Sequence, residues 1–177
     1  MVNDFPMVPN FCINRCLMRK AIVTGLVFVG WFNMSSAQAE FTNAFDFFKS
    51  LKGSWSIQSG DRTLSIKMTY DLASKDTVVT EFFGKELSVF YPDGTNMMMT
   101  HFCNAGTHPR LKLKQNGTPA FFEFETIDVT NLNLQGDGAH VQGITYKLIE
   151  PGKLELKIVW KRREREDTEE YLLTREH

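Results

Sequence analysis

The chain has 177 residues, of which 42% are hydrophobic and 23% charged. That composition supplies a core for one domain of ordinary size and excludes a chain that is disordered throughout. The formal net charge of −1 at pH 7 provides no basic field, so we expect no nucleic-acid partner.

The first 39 residues have the pattern of a secretory signal peptide. A basic start at residues 18–20 precedes an apolar run over residues 21–32, and small residues then end in the cleavage-site pattern Ala37-Gln38-Ala39. A helix needs about 20 residues to cross a bilayer, and the apolar run is shorter than that. We therefore expect cleavage after Ala39 and an exported protein, periplasmic or secreted, without a stable membrane anchor. An uncleaved signal anchor is the alternative, and Met18 is a candidate for the true start.

Cleavage after Ala39 would leave Cys103 as the single cysteine of the mature chain, because Cys12 and Cys16 lie in the presequence. An exported chain with one cysteine has no internal disulfide, so its stability must come from packing. No cysteine of lipobox type follows the apolar run, which argues against a lipid anchor.

The first element after the presequence is a short helix predicted over residues 41–51. Apolar residues recur there at close to helical spacing, Thr42 or Asn43 can cap the start, and Gly53 stops the helix. The remaining chain alternates between apolar and polar residues, as in residues 64–70 and 154–160, which is typical of strands with one buried face. About ten strands are predicted, over residues 53–59, 62–70, 76–83, 86–91, 95–103, 109–115, 118–125, 139–149, 153–163 and 167–175.

Turn signals separate these strands, among them Pro92-Asp93-Gly94, Asn116-Gly117 and Pro151-Gly152. Short strands without intervening helices indicate an all-β fold, either a barrel or a sandwich. We predict that residues 40–177 form a single antiparallel up-and-down β-barrel, since closure removes exposed strand edges and suits a monomer. Residues 128–138 fit no strand and are assigned to a loop with one helical turn.

In two features the sequence resembles members of the calycin superfamily, which includes lipocalins, fatty-acid-binding proteins and nitrobindin-like barrels. Residues 51–55 (LKGSW) end a helix in G-x-W at the start of the first strand, and the last strand carries Arg175 near its end. The resemblance implies that Trp55 lies across the barrel floor and stacks against Arg175. A guanidinium over an indole face contributes roughly 0.5–2 kcal/mol.

A narrower resemblance covers residues 100–110 (THFCNAGTHPR). The stretch is similar to the T-H-Y-C-x-A-G-N-x-P-R motif of a family of bacterial exported lipocalin-like proteins without settled function, and departs from it at Phe102 and Thr107. The resemblance implies a lipocalin-like fold and export. It implies no reaction.

Large apolar residues at inward-facing positions predict a binding module for a small apolar or amphipathic ligand. The candidate ligand-binding residues are Met68, Tyr70, Met99, Phe122, Phe124, Leu156, Ile158 and Trp160. A barrel filled by its own side chains, with a structural or interaction role, is the alternative.

A second hypothesis concerns His101, Cys103 and His108. Alternation places Met97, Met99, His101 and Cys103 on one strand face, and a turn can fold His108 back towards them. Thioether, thiolate and imidazole are soft ligands that suit copper, haem iron or zinc, and nitrobindin-like barrels bind haem through a histidine. Ordinary core packing of Met and Cys is the competing interpretation.

A catalytic reading would make Cys103 a nucleophile with His101 or His108 as its base. Residues i and i+2 of a strand lie nearly 7 Å apart, at about 3.3 Å per residue, which favours His108 over His101. No acid is singled out to orient the base, so the sequence favours a protein that is not an enzyme.

Overall fold

The computed structural model describes residues 44–114, 120–133 and 136–177. These form one helix and ten strands. The predicted presequence and the Asn116-Gly117 turn lie outside the described residues. The elements are α1 (Ala44–Ser50), β1 (Gly53–Ser59), β2 (Arg62–Ala73), β3 (Val78–Phe83), β4 (Glu86–Asp93), β5 (Asn96–Phe102), β6 (His108–Leu113), β7 (Phe121–Thr130), β8 (His140–Glu150), β9 (Lys153–Arg162) and β10 (Arg165–Arg175).

The ten strands make a closed antiparallel barrel in which each strand pairs with its neighbours in the chain. The sheet closes where β1 pairs with β10, in a register that sets Trp55 opposite Arg175. The predicted all-β, up-and-down barrel of about ten strands with a short helix before it is confirmed. A closed antiparallel barrel is consistent with a calycin-like fold.

The prediction of a loop over residues 128–138 is wrong at its start, because β7 continues to Thr130. Asp128 lies opposite Arg110 and Thr130 opposite His108, so these residues complete the β6–β7 ladder. A register shift between Arg110 and Leu111 interrupts the alternation in this ladder. A simple period-two pattern in the sequence therefore does not extend through the end of β7.

The barrel has two different ends. At the helix end, where α1 lies, the side chains of Phe47 and Phe48 enter the barrel and are fully buried. Phe47 stacks on Phe122 with ring centroids 4.2 Å apart, and Phe48 stacks on Phe90 at 4.4 Å. The opposite end, which we call the far end, is formed by the ends of the odd-numbered strands and the starts of the even-numbered strands, among them the end of β3, the start of β4, the end of β5, the end of β9 and the start of β10.

Candidate functional site

The helix end is sealed around Trp55, which is 1% exposed. Its indole N–H donates to the Leu51 carbonyl oxygen at 2.8 Å, and the Arg175 guanidinium carbon lies 4.5 Å from its ring centroid. Arg175 also donates to the carbonyl oxygens of Ser50 and Lys52. The cation therefore satisfies carbonyls at the C-terminal end of α1 while it covers the indole face.

The glycine of the G-x-W pattern, Gly53, is required for one conformational and one steric reason. Gly53 has a φ of +128°, which side-chain-bearing residues rarely adopt, and a Cβ at this position would lie 3.2 Å from Arg175 Nη1. The G-x-W pattern thus leaves room for the guanidinium that stacks on the tryptophan.

All eight predicted ligand-binding residues belong to the apolar interior. Seven are buried and Trp160, half-buried, packs against them. The barrel does not leave all of them accessible, however, because the phenylalanines of α1 occupy the space beside Phe122 and Phe124.

A row of polar side chains crosses the interior between the two ends. Tyr70, Glu81, Ser88 and His101 lie directly opposite one another on β2, β3, β4 and β5. The Ser88 hydroxyl donates to Glu81 Oε1 at 2.9 Å, and Ser88 Oγ lies 3.0 Å from His101 Nδ1. From β8, the Tyr146 hydroxyl donates to Glu81 Oε2 at 2.8 Å. We call these five residues the polar row.

Glu81 is the one buried carboxylate among the described residues, and no Lys or Arg among them is buried. Burial raises the pKa of Glu81, while hydrogen bonds from Tyr70, Tyr146 and Ser88 act in the opposite direction. Burial, together with the Glu81 charge, raises the pKa of Tyr70 and Tyr146 well above the usual value, so both remain neutral donors.

His101 is neutral at neutral pH. Burial, together with the nearby His108, lowers its pKa to about 4. With Glu81 ionised, the single hydroxyl hydrogen of Ser88 is donated to Glu81, and His101 Nδ1 carries the proton that joins it to Ser88 Oγ. Nε2 is then a bare acceptor. It is buried and has no hydrogen-bond partner, and Glu86 Oε2 lies 3.8 Å from it.

Four further side chains lie beyond His101 at the far end. Glu169 Oε2 accepts hydrogen bonds from Trp160 Nε1 at 3.1 Å and from the Tyr171 hydroxyl at 3.0 Å. Glu169 faces inward, because it is paired on the ladder with buried Ile158. Burial raises the pKa of Glu86, and the Glu169 charge acts in the same direction.

The predicted metal ligands do not form one group. His101 and Cys103 face the interior, whereas the ring of His108 packs on the outward-facing Phe102 at 5.0 Å. Within residues 44–114, 120–133 and 136–177, no three His, Cys, Asp or Glu side chains are placed to hold a metal ion. The reason is the turn at residues 103–107, which returns the chain so that Pro109 and Leu111 face inward and His108 faces outward.

Cys103 is a poor candidate for a nucleophile. It is 7% exposed, and burial raises the pKa of its thiol, which disfavours the reactive thiolate. Asp128 on β7 forms an exposed ion pair with Arg110.

Sequence reasoning missed Glu81, Ser88, Glu86, Tyr146 and Glu169. The signal for Glu81 was present: it stands between Val79 and Phe83 on the apolar face of its strand. A charged residue at such a position predicts a buried polar contact. The partners of Glu81 come from other strands, up to 65 positions away in the chain.

Comparison with protein-family models and with curated protein sequences finds no match to this chain. Among the described residues, the only helix is α1, and it falls well short of the length and apolar character needed to cross a membrane.

Proposed function

We propose that this protein is a small-molecule-binding barrel that takes an amphipathic ligand through its far end. The observation that carries this proposal is the difference between the two ends. Phe47, Phe48 and Trp55 are almost fully buried at the helix end, whereas the inward-facing Trp160, Tyr171 and Glu169 keep solvent exposure at the far end.

The buried Nε2 of His101 supports the same conclusion. A buried polar atom without a partner costs about 1–3 kcal/mol, so it marks a place where a ligand or a water completes a hydrogen bond. The surroundings combine apolar walls with a few oriented polar groups, which is the usual composition of a small-molecule site.

Binding of the neutral fluorescent probe N-phenyl-1-naphthylamine to the full chain tests the proposal. We expect saturable binding at one site and a shift of the Trp160 indole N–H resonance, with the Trp55 indole N–H unchanged. A Trp31→Phe variant assigns the third indole. Absence of saturable binding, or a shift confined to Trp55, would contradict entry at the far end.

A filled barrel with a structural or interaction role is the second candidate. It is favoured by the aromatic packing of α1, in which Phe48 contacts Phe90, Phe122, Phe124 and Tyr146. A folded protein that binds neither the neutral probe nor small amphipathic molecules would support it.

Export remains part of the proposal. The tripartite pattern of residues 18–39 supports cleavage after Ala39 and a periplasmic or secreted protein. N-terminal sequencing of exported material should find Glu40 first. A mature chain that begins before residue 30 would rule out this cleavage site.

A further inference from the structure

We infer that the far end recognises a protonated organic amine, whose ammonium group lies between Glu86 and the bare Nε2 of His101, with the Glu169 carboxylate as a second negative charge at the same end. This inference rests on the proposed binding function and names the chemical class of its ligand.

The polar atoms that face each other in this site, on Glu86 and His101, are hydrogen-bond acceptors. Glu86 Oε2 and His101 Nε2 are 3.8 Å apart, too far for a hydrogen bond to each other. Two acceptors at this separation can both lie within hydrogen-bond distance of one ammonium nitrogen placed between them. His101 is 3% exposed, and its Nε2 is buried on the side of Glu86 without a hydrogen-bond partner.

The charge of the far end is also unbalanced. Among the described residues, no Lys or Arg nitrogen lies within 4.0 Å of Glu86 or Glu169. The neighbouring Glu170, which faces outward, is by contrast paired with Lys157 at 3.4 Å. Two carboxylates that face one interior and have no basic partner favour a cationic ligand over a neutral or anionic one.

The aromatic residues of the far end complete this chemistry. Phe83 and Tyr171 contact edge-to-face with centroids 5.3 Å apart, and Trp160 is held by its hydrogen bond to Glu169. Aromatic faces attract an ammonium group and also pack against an alkyl chain. An organic amine uses both properties, whereas a bare metal ion would need a set of three or more ligands that the described residues do not provide.

The test compares n-hexylamine, 1-hexanol and hexanoate by isothermal titration calorimetry on the full chain at pH 7. The three probes share a chain length and differ in the charge of the head group. We expect hexylamine to bind at least tenfold more tightly than hexanol, and hexanoate to bind no better than hexanol.

The variants Glu86→Gln and Glu169→Gln should each weaken hexylamine binding at least tenfold and change hexanol binding by less than about threefold, because the amide oxygen of glutamine still accepts from a hydroxyl. Glu170→Gln is the matched control and should change neither. Melting curves of all three variants establish that they fold, and a variant that fails to fold is replaced by the corresponding Glu→Asp change, which should weaken hexylamine selectively.

Two outcomes separate the inference from the proposed function. Equal binding of hexylamine and hexanol would retain the binding barrel and overturn the amine inference, with solvent as the partner of His101. Failure of all three probes and of the neutral fluorescent probe would overturn the binding function itself. Displacement of hexylamine by micromolar zinc or calcium would reassign the site to a metal and also overturn the inference.

Discussion

Replacement of His101 by a side chain that does not titrate should remove a defined part of the dependence of stability on pH. His101 has an ordinary pKa of 6.5, and burial lowers it to about 4 in the folded protein. The unfolded chain therefore binds a proton between pH 6.5 and pH 4 that the folded protein does not. The stability that His101 contributes is present above pH 6.5 and is lost as pH falls through this window.

The magnitude follows from the size of the shift. A shift of about 2.5 pKa units at about 1.36 kcal/mol per unit corresponds to about 3 kcal/mol between pH 7 and pH 4. Glu81 and Glu86 act with the opposite sign, because burial raises the pKa of each and stability falls as pH rises through their folded values. Both carboxylates are retained in the variant, so the difference between the two proteins isolates His101.

Urea unfolding at pH 7, 6, 5, 4.5 and 4, followed by circular dichroism, measures this difference. His101→Asn keeps a donor near the Nδ1 position towards Ser88 and removes the titration. We expect the wild type to lose about 3 kcal/mol more than the variant by pH 4, most of it already by pH 4.5. His177→Asn is the control, because His177 is exposed at the chain end. Equal losses in wild type and His101→Asn would refute the reasoning that His101 is buried in its neutral form.

The other predictions concern packing, the polar row and the cysteine. Trp55→Ala should lower the free energy of unfolding by about 3–5 kcal/mol, because it empties a buried aromatic site and leaves the Arg175 cation without its ring; an unchanged melting midpoint would contradict this. Tyr146→Phe should lower the free energy of unfolding, measured in urea, by about 1.5–3 kcal/mol, because it removes a buried donor to the Glu81 carboxylate. A loss below about 0.5 kcal/mol would argue against this hydrogen bond. In the full chain with its other two cysteines changed to serine, Cys103 should react with a thiol reagent only in denaturant, and fast labelling of the native protein would show that the thiol is accessible.

The fold could be predicted from the sequence because its signals are local. Alternation over residues 154–160 reports which face of a strand is buried, and turn residues mark where strands end. Over residues 64–70 the agreement is partial, because Met68 and Tyr70 are buried whereas Ile66 is 42% exposed. The signal weakened where pairing was irregular. At residues 128–130 the pairing with residues 108–110 of β6 decides that the chain is extended, and those partners lie about 20 positions away.

The candidate site depended on contacts that no local pattern contains. The sequence by itself determined that Met99 and His101 share a face and that an apolar interior exists, because side-chain direction follows from strand periodicity. Only the tertiary structure decided that α1 fills one end, that His108 faces outward, and that Glu81 meets Tyr146 and Glu86 meets His101. The physical reason is closure of the barrel, which sets the register of all ten strands together and so brings side chains from distant strands face to face across one interior.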